Sequence, residues 1–332
     1  MAVSSPQDTV MRPVSPSGRM RAPDSLALSH PDRRRFCTNL IAGAAALSLP
    51  TGALANGPGS RSRALGDMKL TAWSDGGFQA PISAFPNAGN LGLFPDGEQV
   101  ELGSTVWSVQ TPRRHFLVDA GAGDTMRATR PGTGQLSERM AGDSDSPEPT
   151  AITDIVLTHL HADHIGGLMS GGHPRFPGAT LHVSEVEWAY WRDPSLVSRL
   201  PQVQSDMAHL TTRLIGELDY DIEFHSGSSD LGEGITLHSA PGHTPGHTVV
   251  RLESGGDRAL ITADTLICGP MQLRYPGICH QLDVDMHQAV ETRMRLLDMI
   301  SVDQIPFAAT HLKTLTLGYL EREGTGYHFQ PA

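Results

Sequence analysis

Short apolar runs punctuate this chain, and several of them end in side chains that can ligate a metal. Residues 152–157 read Ile-Thr-Asp-Ile-Val-Leu, an almost unbroken apolar run of strand length. Such a run predicts a buried strand whose tip opens into a loop, here His159-Leu160-His161-Ala162-Asp163-His164. Further strands are predicted over 68–73, 104–110, 115–118, 179–183, 235–239, 249–252, 259–262 and, as the last, 305–309. Ser74-Asp75-Gly76-Gly77 reads as the turn that closes the first of these. Helical spacing appears over 286–300, with apolar side chains at 286, 289, 290, 294, 297 and 300. A second helix is expected over 204–218, and a third is expected to start at 165–168. Ser184 and Glu187 have capping-box spacing and open a helix that carries Trp188, Tyr190 and Trp191. Strands and helices alternate in both halves, without the glycine fingerprint of a nucleotide-binding fold.

Three stretches show no period. Residues 56–66 read as a linker, and 131–149 as a solvated loop. Residues 78–97 place Phe78, Phe85, Leu91, Leu93 and Phe94 among Gly, Pro and Asn. So apolar a loop is either a flap over a binding site, with Phe94 as its substrate contact, or a segment packed flat on the body.

Composition narrows the class. At 332 residues and 39% hydrophobic content the chain can bury a large core, and its formal charge of −11 with no basic stretch in the body excludes nucleic acid as a partner. The amino terminus differs: Arg33-Arg34-Arg35-Phe36-Cys37 precedes a mostly apolar run over 40–49 and then Ala53-Leu54-Ala55. This resembles a twin-arginine export signal with a small-x-small cleavage site, which implies residues 1–55 as a leader and a periplasmic or secreted body. The apolar run is too short to span a bilayer permanently. Residues 1–55 hold six Arg against three Asp, so their removal takes the formal charge from −11 to −14. Cys268 and Cys279 remain, either bridged in an oxidising compartment or as two free thiols.

The chemistry lies at the strand ends. His159, His161, Asp163 and His164 follow one apolar run, His243 another, and Asp264 and His311 two more. Burying such a cluster without a cation is costly, and imidazole with carboxylate suits a catalytic rather than a closed structural metal. Seven ligands are too many for one ion with an open position, and they suit two ions that share a carboxylate. Asp119, after its own strand, either orients a ligand or caps a turn. His247 is read as structural support, and His173, His182, His225 and His280 have no spacing that recommends them.

His-x-His-x-Asp-His, then Pro-Gly-His-Thr-Pro-Gly-His, then a strand-end Asp and a strand-end His, resemble in order the motifs of the metallo-β-lactamase superfamily. That resemblance implies a four-layer αββα sandwich over residues 67–332. It assigns His159, His161 and His243 to one ion and Asp163, His164 and His311 to the other, with Asp264 bridging. Two divalent ions are expected, zinc first, with iron, manganese or cobalt as alternatives. Within the superfamily, 65–67, 74–76, 165–169, 309–312 and 324–329 are similar to methyl parathion hydrolase and its relatives, and Trp191 matches a pocket aromatic of that group. The chain departs from the group at Asp124-Thr125-Met126, where the others carry larger apolar residues. The activity implied is hydrolysis of an ester, lactone or phosphotriester by a bridging hydroxide, with Asp163 and Asp264 as catalytic carboxylates. Alternatives on the same site are a thioesterase, a β-lactamase or a mononuclear-iron oxidoreductase like the persulfide dioxygenases. The expected partners are a small-molecule substrate and, as an option, a second copy of the chain.

Overall fold

The first sheet is built by β1 (Ser60–Leu65), β2 (Met68–Pro81), β3 (Gln99–Gln110), β4 (His115–Val118), β5 (Asp154–Leu157), β8 (Thr180–Ser184) and β9 (Asp221–His225), adjacent in that order. Between β5 and β8 a small separate ribbon is formed by β6 (Met169–Ser170) and β7 (His173–Pro174). The second sheet follows as β10 (Ser228–Asp230), β11 (Ile235–Ser239), β12 (Thr248–Ser254), β13 (Asp257–Ile261), β14 (Phe307–Ala308), β15 (Gly318–Glu323) and β16 (Gly326–Pro331). The helices are α1 (Leu136–Ala141), α2 (Ala162–Ile165), α3 (Glu185–Trp191), α4 (Gln202–Gly216), α5 (Gly269–Arg274) and α6 (Met286–Asp303). This computed structural model describes residues 59–89 and 98–332. The expected leader over 1–55 and Phe94 lie outside the described residues. Among those described, no helix is long and apolar enough to cross a membrane.

Period-two alternation decides the layers. Leu117, Ile155, Leu157, Leu181 and Val183 turn outward onto Ala208, Leu214 and Ile215 of α4. Their neighbours Phe116, Val118 and Val156 turn inward onto Leu237, Val250, Leu252 and Ile261 of the second sheet. That sheet's outer face, with Val249, Leu260, Phe307 and Leu320, meets Leu296, Leu297 and Ile300 of α6. The result is helix, sheet, sheet, helix, the expected αββα sandwich. β5 has both faces covered, hence its continuous apolar run and parallel neighbours β4 and β8.

Several local expectations are corrected. Residues 60–65 are no linker but edge strand β1, paired antiparallel with β2 across Gly66-Asp67, where Gly66 has φ +54°. Its polar side chains are solvated and backbone pairing holds it, so no hydrophobic pattern announces it. The first core strand does not stop at Ser74: β2 runs on to Pro81 through a bulge between Ser74 and Gly76 that turns Asp75 inward. Within 131–149, Leu136 and Met140 are buried one turn apart on α1. Residues 165–168 end a helix instead of starting one. A Cβ at Gly166 would stand 2.2 Å from the Ala122 carbonyl oxygen, so a close backbone seam takes the place of a continuing helix. The last strand is not 305–309; β14 is short, and hairpin β15–β16 follows it. Ser184 caps α3 without a side-chain bond, because Glu187 is used elsewhere. Cys268 and Cys279 are free thiols. Of the expected flap, the described part packs on the body: Ile82, Ala84, Phe85 and Ala88 are buried with Leu102, Ile267 and Ile278.

Candidate metal centre

The parallel pair β13–β14 and the parallel run β4–β5–β8 bring several strand ends to one edge of the sandwich. His159 and His161 leave β5, and the single turn of α2 adds Asp163 and His164. His243 follows β11, Asp264 follows β13 and His311 follows β14. Ala263 sits at φ +44°, a strained conformation for a residue with a Cβ, and hands Asp264 into the site. All seven expected ligands come together and are buried. Their donor atoms form three overlapping groups: His159, His161 and His243; His159, His164 and Asp264; and Asp163, His164 and His311. Asp264 lies between them, 3.5 Å from His243 Nε2, 3.3 Å from His164 Nε2 and 3.2 Å from His311 Nε2.

Hydrogen bonds behind the rings fix which nitrogen faces inward. His243 Nδ1 donates to Asp283 (2.8 Å), His164 Nδ1 to Asp119 (2.7 Å) and His311 Nδ1 to the Gly103 carbonyl (2.8 Å). Thr158 Oγ1 donates to Asp119 at 2.9 Å and can therefore accept from His159 Nδ1 at 3.2 Å. Each of these rings turns the lone pair of Nε2 toward the centre. His161 Nδ1 then meets both His159 Nε2 and His243 Nε2 at 3.0 Å, and one proton serves at most one of those contacts. Buried His164 Nε2 and Asp264 Oδ1 have no hydrogen-bond partner.

Electrostatics divide the rings into two groups. Burial, reinforced by neighbouring imidazoles, holds His159 and His161 well below the usual histidine range, so both are neutral. Burial would also lower His164, but Asp264 and Asp119 raise it well above that range; Asp264 likewise raises His311. Burial opposes the ionised form of Asp264, yet His311 and His164 hold its carboxyl well below normal. Inward-facing nitrogens, two carboxylates and orphaned buried atoms are a donor set that suits divalent cations.

Supporting residues are partly new. Asp119, at φ +63°, orients His164 and also accepts from the Thr158 backbone N–H at 2.9 Å. His247 accepts from the Asp264 N–H at 3.2 Å and is no ligand, as its sequence position suggested. Asp283 was not foreseen, because no spacing links it to His243. Glu187 was read as part of a capping box; it is buried and accepts from Leu160 N (3.1 Å), Gly246 N (2.9 Å) and Trp191 Nε1 (2.6 Å). It thereby ties both histidine loops to α3. The glycine of the second loop is required there, since a Cβ at Gly246 would lie 2.2 Å from Glu187 N.

The centre opens into a cavity walled by Phe78, Met126, Arg130, Met207, Ile267 and His280, with Asp163 and His311 at its base. Trp191 is not on that wall. Its ring stands edge-on behind His161 at 5.3 Å, with its N–H on Glu187, so it backs a ligand where a pocket contact was expected. His280, dismissed on spacing, does line the cavity; burial lowers its imidazole to about 4.

A sequence model described as the metallo-beta-lactamase superfamily matches residues 100–304. A "probable metallo-hydrolase" of Mycobacterium bovis is 34% identical over 110 residues, 31% of this chain and 34% of its own length. The chain thus spans about a third of that relative. Among solved structures, AidC, a dizinc quorum-quenching lactonase in complex with the product N-hexanoyl-L-homoserine, superposes with a TM-score of 0.73 at 23% identity, covering 82% of this chain and 97% of that one. The hydrolase AbOPH, of the beta lactamase superfamily, gives 0.71 at 23% identity, covering 83% and 98%. Both likenesses are of fold.

Proposed function

The chain belongs to the metallo-beta-lactamase superfamily, and from that premise we propose that it is a dinuclear metal-dependent hydrolase acting on a lactone or ester bond. One observation carries the reading: two sets of inward-facing donors meet at a single carboxylate, Asp264. In this reading His159, His161 and His243 hold one ion and Asp163, His164 and His311 the other. A mononuclear oxidoreductase would need only the first set, and the completeness of the second argues against it.

Two divalent ions at this place would make water acidic enough to act as a nucleophile near neutral pH and would polarise the oxygen of the bond attacked. The protein's own groups do the rest. Asp264 fixes the separation of the two donor sets. Asp163 lines the cavity 3.5 Å from His311 Nε2, where its carboxylate would take the proton released by the attacking water and pass it to the departing alkoxide. The apolar wall of Phe78, Met126, Met207 and Ile267 sequesters an acyl chain and excludes bulk water. A lactonase neighbour of the same fold puts lactones first among substrates, with aryl esters next. The likeness to methyl parathion hydrolase adds phosphotriesters, which the small Asp124-Thr125-Met126 stretch disfavours.

Metal analysis of the purified protein beside a panel of acyl-homoserine and aromatic lactones, aryl esters, a phosphotriester, a thioester and a cephalosporin tests the reading. Two ions per chain are expected, with turnover of a lactone or ester. Asp264→Ala should lose at least one ion and about a hundredfold or more in turnover. Two ions and full turnover in Asp264→Ala, or full activity with one ion in the unaltered chain, would overturn it.

A further inference from the structure

One wall residue of the cavity differs in kind from its neighbours. Arg130 is the one lysine or arginine among the described residues that line it, and the side chains around it include Phe78, Met126 and Leu102. Its guanidinium lies 4.1 Å over the Phe78 ring, and Phe78 stands edge-on to His311 at 5.7 Å. The cation is therefore no farther from the His311 ring than those two distances laid end to end. Among the described residues no carboxylate lies within ion-pairing distance of it. Stacking on an aromatic face fixes the plane of the guanidinium and leaves its N–H edge free for a planar anion.

The backbone that carries Arg130 is also held. Its N–H donates to the Met126 carbonyl (2.7 Å), and its own carbonyl accepts from Thr133 N (3.0 Å) and Thr133 Oγ1 (2.9 Å). Gly77 N donates to the Gly132 carbonyl (3.0 Å). Buried Asp75 accepts from the N–H groups of Ala122 (2.9 Å), Gly134 (3.2 Å) and Leu136 (2.8 Å). The bulge in β2 thus pins the loop that presents the arginine. A fixed, stacked cation that no described carboxylate pairs with, among the apolar side chains of a cavity in a chain of net charge −11, is placed to recognise an anion that the surface at large would repel.

We propose that Arg130 anchors an anionic group on the substrate, so that the enzyme acts on a short-chain ester or lactone that carries a carboxylate away from the bond cleaved. This deepens the hydrolase reading and rests on it for the reaction, though not for the binding. The anchor's contribution lies in ground-state recognition, so it is expected in KM more than in kcat.

The test compares two esters that differ only at the end of a short acyl chain, one closing in a carboxylate and the other in the neutral methyl amide. Both are assayed with the metal-loaded full chain and with Arg130→Met and Arg130→Glu. The unaltered enzyme should favour the carboxylate by about tenfold or more in kcat/KM, and the ratio should shrink as salt is raised. Arg130→Met should abolish the ratio and Arg130→Glu should invert it. A calorimetric titration with the non-hydrolysable ether analogue of the carboxylate ester should show binding that is about tenfold weaker in Arg130→Met. Equal kcat/KM for the two esters in the unaltered enzyme, or a carboxylate preference that survives Arg130→Met, overturns the anchor while leaving the hydrolase reading intact. Arg130-dependent binding of the ether analogue with no turnover of either ester, nor of any lactone or ester in the panel, would support the anchor and sink the hydrolase reading.

Discussion

Asp119 Oδ2 lies 2.7 Å from Nδ1 of His164 and fixes that imidazole with its other nitrogen turned inward. Asp283 does the same for His243 at 2.8 Å, on the other donor set. Each of these buried carboxylates bonds directly to a ring of one donor set, so under the two-ion reading their loss should affect the two sets unequally. Asp119→Asn should weaken retention by the set that contains His164, and Asp283→Asn by the set that contains His243, each by about 10–100-fold. Metal content after dialysis against a graded chelator series reads this directly. If both variants retain both ions as tightly as the unaltered chain, the two aspartates do not position the ligands.

Glu187 links the two histidine loops through Leu160 N and Gly246 N, and it takes the indole N–H of Trp191. Glu187→Ala leaves three buried donors without an acceptor, which costs about 3 kcal/mol or more. A fall in Tm of about 6–10 °C is expected, and Glu187→Gln should fall less. Thermal melts of metal-free protein give the comparison. A Glu187→Ala melt at the unaltered temperature would show that the loops are held by something else.

On the far side of β5 from the metal ligands, Asp154 accepts from Arg114 Nε (2.8 Å), His182 Nε2 (2.8 Å) and Thr153 Oγ1 (2.6 Å). Burial alone would raise its carboxyl, but the bonds from His182, Arg114 and Thr153 hold it well below the usual range. A depressed carboxylate contributes stability that is present above its unfolded value, near 3.8, and is lost as pH falls through the folded value. Asp154→Asn should therefore be less stable than the unaltered chain at pH 7, by about 2 kcal/mol. The gap should narrow steadily below about pH 4. Urea midpoints across that range that run parallel for the two proteins would rule out the linkage.

The local pattern was enough for much of this molecule. Continuous apolar runs appear as strands covered on both faces, and α6 forms where helical spacing placed it, although it buries Ala289, Leu297 and Ile300 of the expected face and leaves Met286 and Met294 exposed. The candidate ligands were legible because each follows an apolar run, and a strand end is where a buried backbone can release a polar side chain beside a site. What failed in the sequence failed for want of a hydrophobic signal: β1 is held by backbone pairing, and the bulge at Ser74–Gly76 looks locally like a turn.

Residue spacing by itself picked out a metal-binding cluster and its seven candidate members, and the αββα order of layers followed from the family resemblance that those motifs carry. Only the tertiary structure decided which groups hold those members in place. Asp283 meets His243, and Glu187 meets Leu160 and Gly246, across tens of residues of chain, at distances set by how sheets and helices pack. The wall of the cavity was decided in the same way: Trp191 went behind a ligand, while His280 and Arg130 came forward. Ligand identity is a local property because a strand end is local. Side-chain direction in a cavity depends on every layer packed around it, and no single stretch of sequence contains that information.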